Sequence, residues 1–285
     1  MRIRSNVFLK IFLPIFFVVY LFVGLLIFKD YGITTDEEFQ RFSGFYWLKY
    51  VLSFTPFDDL KLLVDRKIDL ISGFTLPNPV DFPFYGVIFD LPLALIETIF
   101  GVEQSKNYFL LRHKFNFIIF FISSIYYFLI LKNRFNNDLI ASFGLMFYIG
   151  SPRIFGDSFF NNKDLIFLSL ITIALFYCFK LFKVFNYKNI ILFSLFCALA
   201  TSSRVLGIFL PITVVSILFF DILDKKISKE FIIKILFLIL LYFSFTILLW
   251  PYLWSAPLAN FIKAFLIFSD YIIDIKFLFN SDYVS

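Results

Sequence analysis

The sequence contains few charged residues for its length. Asp, Glu, Lys and Arg make up 16% of the 285 residues, and hydrophobic residues make up 60%. A soluble globular domain has about 25% charged and about 45–50% apolar residues. So few charges cannot cover a water-facing surface, which excludes a soluble enzyme and a disordered chain. The composition indicates an integral membrane protein with several spans.

Cysteine and histidine are also scarce. Cys178 and Cys197 both lie in apolar runs without metal-ligand or CxxC spacing, which excludes a disulfide-stapled secreted domain. His113 is the single histidine, which argues against a zinc site. The chain has no P-loop, GxGxxG, GxSxG or HExxH motif. ATP-driven transport and membrane proteolysis therefore have no support in the sequence.

Long apolar runs predict an all-α polytopic membrane protein with about seven transmembrane helices. The usual spanning segment is an apolar run of about 18 or more residues. The predicted spans, some of them shorter, are 11–28, 115–131, 139–155, 165–179, 190–201, 205–220 and 231–250.

Segment 84–100 is apolar but contains Asp90 and Glu97, and acids inside a membrane are costly. If it does not cross, the cytoplasmic pieces are 1–10, 132–137, 180–188 and 224–230, with 11 Lys and Arg against two acids. If it crosses, the last three pieces move outside and the positive-inside bias is lost. We therefore predict an interfacial or re-entrant helix on the outer side and a cytoplasmic N-terminus. The same bias accounts for the net charge of +5, so no nucleic-acid partner is predicted.

The predicted organisation is one membrane domain over residues 1–285. After the first span, 11–28, a large outer loop at 29–108 carries 12 of the 21 acids and is expected to form interfacial helices. Six further spans occupy 109–250, and 251–285 is an outer segment. The bacterial inner membrane is the expected location.

Thr34-Thr35-Asp36-Glu37-Glu38-Phe39 follows the first span. One interpretation is a helix start, in which Thr35 caps and Glu38 completes a capping box. The other is catalytic, because a carboxylate fixed at a helix start can act as a general base toward a hydroxyl.

A second polar stretch, residues 151–164, separates two apolar runs on the same predicted side. Asp157 and Asp164 are seven residues apart and would share a face if helical. In the structural interpretation, Asn162 caps the next span and Lys163 extends along it to the membrane surface. In the functional one, these polar groups contribute to a site.

Three shorter motifs lie at predicted outer ends of spans. Arg204, in Thr201-Ser202-Ser203-Arg204, either extends to the surface or binds a phosphate. Arg112-His113-Lys114 is an interfacial cluster that suits an anionic headgroup or lipid phosphate. Trp250-Pro251-Tyr252-Leu253-Trp254 is by default an aromatic belt with a proline stop.

In order along the chain, these motifs resemble the polytopic lipid-linked-sugar glycosyltransferases of the GT-C fold. The similarity is to family-39-like enzymes such as protein O-mannosyltransferases and the lipid A aminoarabinose transferase. It rests on Gly32-Ile33-Thr34-Thr35-Asp36-Glu37, Phe84-Tyr85-Gly86-Val87-Ile88-Phe89-Asp90-Leu91-Pro92, Leu111-Arg112-His113, the 158–164 stretch, Ser203-Arg204-Val205-Leu206-Gly207 and the 250–254 motif.

The resemblance implies a polyprenyl-phosphate-linked sugar as donor and a glycan, lipid or protein hydroxyl as acceptor. Asp36 matches the catalytic base, with Glu37 beside it, and Asp164 matches a second acid near the donor. Arg204, and with it Arg112 and His113, would lie near the lipid phosphate, and Lys163 and Asp157 are further candidates for substrate binding. No cofactor is implied with certainty, and a divalent metal requirement stays open.

Relatives usually continue for several more spans, so the chain is expected to be a C-terminally truncated fragment or a minimal version. The alternative from another class is a membrane transporter or lipid flippase, which predicts mid-membrane ionisable residues or broken half-helices in paired halves. An inactive membrane scaffold is a third.

Overall fold

A computed structural model describes residues 2–71, 76–224, 228–270, 277–279 and 282–284. These residues are almost entirely helical. The helices are α1 Arg2–Ile27, α2 Glu37–Leu52, α3 Asp58–Ile71, α4 Asp90–Ile99, α5 Ser105–Phe135, α6 Asp138–Gly150, α7 Pro152–Phe160, α8 Asp164–Lys183, α9 Tyr187–Thr201, α10 Phe209–Asp224, α11 Lys229–Leu249 and α12 Pro257–Asp270. Short strands β1 (Phe277–Phe279) and β2 (Asp282–Val284) pair antiparallel. Parts of the predicted outer segment 251–285 (271–276, 280–281 and 285), and of the predicted basic piece 224–230 (225–227), lie outside the described residues.

Four helices in the described chain are long and apolar enough to cross a membrane. They are α1, α5, α8 and α11, and each overlaps a predicted span. The predicted span 139–155 is instead split between α6 and α7, which meet at 61° and give a fifth crossing if they count as one. Ser151 is extended there because the following Pro152 disfavours helical geometry. The described residues thus form a predominantly helical protein with four or five segments that could span a membrane.

The remaining two predicted spans correspond to shorter apolar helices, Tyr187–Thr201 and Val205–Phe220. The 15 residues of α9 extend over roughly 22 Å at 1.5 Å per residue, less than the ~30 Å hydrocarbon core. The count of seven therefore stays a prediction.

Helix α4 occupies the segment that carries Asp90 and Glu97. Its ten residues extend over only about 15 Å, too short to cross a bilayer. This agrees with the prediction that 84–100 does not span. Both acids are buried within protein, and α4 packs against α2, which also contacts α3.

The long helices bury small and aromatic residues against one another and leave apolar residues outside. A central cluster joins α8, α9 and α11, and a second joins α1, α5, α6 and α8. The outward surface includes Val18, Phe22, Phe147, Leu236 and Leu240, all more than half exposed. Such a surface is costly in water and suits lipid tails. It identifies the chain as an integral membrane protein.

The C-terminal end of α1 and the N-terminal end of α8 lie at the same end of the bundle, which we call the upper end. Tyr31, just after α1, stacks on Phe159 of α7 with ring centroids 4.3 Å apart. Helices α2–α4 cover this end, where Trp47 of α2 contacts Tyr252 at 6.0 Å. Trp250 is buried in a hydrophobic cluster with Trp47 and Tyr252, so it belongs to the core rather than to the expected aromatic belt.

Candidate active site

A cavity of about 610 Å³ opens at the upper end. Its wall is formed by residues 34–36 and 39–40, by residues 160–164 and by Arg204, with Phe82 and Tyr85 from the segment before α4. Three of the sequence motifs, which lie between positions 34 and 204 of the chain, therefore face one space.

Asp36 lies immediately before α2 and lines the cavity. Its side chain is exposed, and its carboxylate has no hydrogen bond or ion pair within the described part of the chain. Its carbonyl accepts the first helical hydrogen bond, from the Gln40 N–H at 3.0 Å. The N-terminus of α2 favours negative charge at this position. Asp36 is thus held by its backbone while its carboxylate faces the cavity.

Glu37 is buried and does not line the cavity. Its Oε2 lies 3.0 Å from Nε2 of His113, and its Oε1 accepts from the Thr34 N–H at 2.8 Å and the Thr34 hydroxyl at 3.1 Å. The expected Thr35–Glu38 capping box is therefore wrong by one residue. Thr34 and Glu37 make only one half of such a box, the bond from the Thr34 N–H to the glutamate, while Glu38 binds Arg41 at 3.1 Å. Glu37 fixes the start of α2 to α5.

Asp164 is the first residue of α8 and is exposed at the cavity. Its Oδ1 pairs with Nη2 of Arg204 at 2.5 Å, and its Oδ2 accepts from the Asn161 amide at 3.2 Å. Asn161 also caps the helix, because its Oδ1 accepts from the Asp164 N–H at 2.9 Å. The expected cap at Asn162 is thus wrong, since Asn162 is buried and donates to Asp90.

Asp90 organises a buried layer behind the cavity. Its Oδ1 accepts from Arg112 and, at 3.2 Å, from Asn162, and its Oδ2 pairs with Lys163 at 2.5 Å. Lys163 also donates to the Gly86 carbonyl at 3.1 Å. Burial lowers the pKa of the Lys163 ammonium, and the negative charge of Asp90 opposes that effect. Asp90, Arg112 and Lys163 together carry one more positive than negative formal charge.

Of the cationic candidates, only Arg204 and Lys163 line the cavity. Lys163 does not extend to the membrane surface as the structural interpretation expected, because Asp90 holds it inside the protein. Arg112 and His113 are buried behind the wall, bound to Asp90 and Glu37. Their assignment to the lipid phosphate stays a prediction, and their contacts indicate a positioning role.

Asp157 lies outside the cavity, on α7, where it pairs with Arg153 at 3.5 Å. Asp157 and Asp164 do not share a helical face as expected, since α7 ends at Phe160 and residues 161–163 separate the helices. The described residues include no group of three or more His, Cys, Asp or Glu that could hold a metal ion.

A close backbone contact brings the segment before α4 to the cavity. The Gly86 N–H donates to the Ser203 carbonyl at 3.2 Å, and a Cβ at Gly86 would lie 1.7 Å from the Ser202 carbonyl oxygen. Only glycine allows this approach. The contact places the Tyr85 ring 5.6 Å from the Arg204 guanidinium and 5.7 Å from the Lys163 ammonium.

Three contributors to this region were not predicted from the sequence. Gln40 lines the cavity, and its buried Oε1 lacks a partner within the described ranges. Asp90 organises the cations, and Arg41 binds Glu97 through two hydrogen bonds of 3.0 and 2.6 Å. Burial would lower the pKa of Arg41, but the hydrogen bonds and charge of Glu97 raise it. The available signal was the pair of acids in an apolar segment, which require buried partners.

Comparison with known protein families identifies a match over much of the chain. The family model described as dolichyl-phosphate-mannose-protein mannosyltransferase matches residues 88–250, more than half of the chain. The matched region contains Asp90, Arg112, Lys163, Asp164 and Arg204, whereas Asp36 precedes it. No curated protein matches, and no solved structure matches. The chain belongs to the dolichyl-phosphate-mannose-protein mannosyltransferase family, a family of membrane glycosyltransferases with the GT-C fold.

Proposed function

We propose that this protein transfers a sugar from a polyprenyl phosphate to an acceptor hydroxyl on the extracytoplasmic side, with inversion at the anomeric carbon. The observation that carries the proposal is the shared cavity, in which the Asp36 carboxylate, without a partner among the described residues, faces the same space as the Arg204 and Lys163 cations. A base for the acceptor and positive charge for the leaving phosphate are the two groups that this reaction requires.

In the proposed reaction, Asp36 removes the proton from the acceptor hydroxyl. The oxygen attacks the anomeric carbon from the face opposite the phosphate, and the carbon–oxygen bond to the phosphate breaks. The polyprenyl phosphate leaves with the electron pair, so the configuration at the anomeric carbon inverts. Gln40 also lines the cavity, and we propose that its side chain helps to position the substrate there.

Charge on the leaving phosphate is proposed to be stabilised by Arg204 and, from behind, by Lys163. Asp164 holds the Arg204 guanidinium at 2.5 Å and thereby sets its position. Arg112 adds a second buried positive charge behind the cavity, where it pairs with the carboxylate oxygen of Asp90 that Lys163 does not bind. We therefore propose that Arg112 positions the buried layer around Asp90 and that His113, through Glu37, positions α2.

The distribution of charge supports the proposed orientation. Basic residues at 132–134 and 180–188 lie in or just after the last turns of α5 and α8, at the ends opposite the cavity. Cytoplasmic loops carry an excess of Lys and Arg, so the cavity is assigned to the extracytoplasmic surface. The N-terminus then lies in the cytoplasm, and we propose the bacterial inner membrane as the location.

The test is substitution of Asp36 by Asn in a strain that lacks the native gene. Glycan and lipid profiling of the deletion strain identifies the missing sugar, and transfer is then measured in membranes with the lipid-linked donor. We expect Asp36→Asn to lower the rate about 10²–10⁴-fold, the usual contribution of a general base. Asp30→Asn, which removes an exposed acid outside the cavity, is the matched control.

Transfer by Asp36→Asn at the rate of the control variant would overturn the assignment of the base. The transporter or flippase alternative makes a different prediction, because the lipid-linked sugar would cross the membrane with its sugar–phosphate bond intact. Release of free polyprenyl phosphate in step with sugar transfer distinguishes the two.

A further inference from the structure

We propose that the protein binds an anionic phospholipid between the C-terminal ends of α5 and α8, at the end of the bundle opposite the candidate active site. The site is a second cavity of about 580 Å³, which we call the lower cavity. Its volume lies within the range of about 300–1,000 Å³ that is usual for ligand pockets.

The lower cavity combines an apolar wall with a cationic rim. Phe135, Phe179 and Phe182 line it with rings that are each about half exposed. Arg134, Lys180 and Lys183 contribute the positive charge, and the lining contains no acid. None of the three cations pairs with an Asp or Glu among the residues that the structure describes.

The helix dipole explains only part of this arrangement. Basic residues in the last turn of a helix are favoured by the partial negative charge of the C-terminus, and both α5 and α8 have them. The dipole does not require an open apolar groove between the two ends. Lys180 lies 4.6 Å from the centre of the Phe176 ring, which keeps its ammonium at the edge of the groove.

A phospholipid meets both halves of the groove. Its phosphate suits three converging cations, and its acyl chains suit the exposed phenylalanines at membrane depth. Basic pockets between membrane helices on the cytoplasmic side bind anionic lipid headgroups in this way. A zwitterionic lipid offers no net charge to the rim, so charge complementarity selects an anionic one. The lower cavity does not touch the residues of the candidate active site.

The test is native mass spectrometry of the full chain with phosphatidylglycerol and with phosphatidylcholine of the same acyl chains. We expect phosphatidylglycerol to remain bound and phosphatidylcholine to dissociate. The triple variant Arg134→Gln/Lys180→Gln/Lys183→Gln should lose phosphatidylglycerol binding roughly tenfold or more.

A charge-matched control removes Lys132, Lys188 and Lys229, three exposed lysines outside the lower cavity. The control should bind phosphatidylglycerol as the unchanged chain does. Equal losses of phosphatidylglycerol binding in both triple variants, or no loss in either, would overturn the proposal. Displacement by excess inorganic phosphate would also overturn it, because the site would then recognise a free anion rather than a lipid.

A second variant tests the apolar half without changing any charge. Ile130 lines the lower cavity, and Ile130→Trp should fill it and lower phosphatidylglycerol binding while the thermal unfolding temperature stays near that of the unchanged chain. Undiminished lipid binding in a folded Ile130→Trp protein would contradict a site inside the groove.

Discussion

The acidic side chains at the upper end fall into two groups that differ in burial and in pairing. Asp90 and Glu97 are buried, and each binds two cationic side chains. Asp36 and Asp164 are exposed at the cavity; Asp36 is unpaired among the described residues and Asp164 holds Arg204. A buried carboxylate without partners is very costly, whereas an exposed one is free to exchange protons and ligands. The difference separates groups that build the cavity from groups available for chemistry.

The strongest test of this comparison is Asp90→Asn. The substitution leaves Arg112 and Lys163 buried without their shared anion, and breaking a buried ion pair costs about 3–5 kcal/mol. We expect a correspondingly large loss of stability in detergent, measured by thermal unfolding. Asp164→Asn is the matched control, because exposed ion pairs contribute about 0–1 kcal/mol. Similar stability losses in the two variants would remove the distinction.

The next largest effect is expected for Arg204→Gln, on the rate rather than on stability. Loss of one group that stabilises developing charge typically lowers the rate about 10²–10³-fold. Arg204 is about one-quarter exposed, so the unfolding temperature should change little. Transfer assays beside thermal unfolding separate the two quantities. A variant that is unstable but fully active would show that Arg204 supports the structure of the cavity and does not take part in the reaction.

A smaller effect is expected for Gly86→Ala. The new Cβ would overlap the Ser202 carbonyl, so the segment before α4 must shift, and overpacking costs about 1–3 kcal/mol. Because this segment carries the Gly86 carbonyl bound by Lys163, the shift should also loosen the buried layer. Thermal unfolding measures the first effect. Gly32→Ala, where a Cβ meets no atom within 4 Å, is the control.

The smallest effect is expected for Thr34→Val. The hydroxyl donates to the buried Glu37 carboxylate at 3.1 Å, and the net worth of such a hydrogen bond is about 1 kcal/mol. Thr35→Val should leave stability nearly unchanged, because Thr35 does not cap the helix. The opposite ranking in thermal unfolding would restore the capping box that the sequence spacing suggested.

Features that depend on composition and local charge were accessible from the sequence. The deficit of charge predicted a helical membrane protein, and the positive-inside bias indicated that 84–100 does not cross, in agreement with the short α4. Asp36, Asp164 and Arg204 were selected because they lie in polar motifs at the ends of apolar runs and match the motifs of the GT-C glycosyltransferases. The structure brings all three to one cavity.

Features that depend on distant contacts were not accessible. Nothing in the local pattern around Asp90 or Lys163 indicates that they pair across 73 residues. Arg112 and His113 were expected to face a ligand, since their buried partners lie 22 and 76 residues away. The partner of Glu37 at Thr34 and the cap at Asn161 were each missed by one residue, because adjacent Thr or Asn residues fit the same local signal equally well.

The long-range pair at Asp90 has a consequence for how the protein is assembled during synthesis. Arg112 follows Asp90 by 22 residues and Lys163 by 73. At a synthesis rate of about 5–20 residues per second, Lys163 emerges from the ribosome roughly 4–15 s after Asp90. Asp90 therefore first meets Arg112, on the next long helix, and this pair must be held until α8 enters the membrane. Insertion of α8 then adds Lys163 and Asn162 to Asp90 and brings Asp164 to the cavity. The wall is complete only after α9, when Arg204 reaches Asp164.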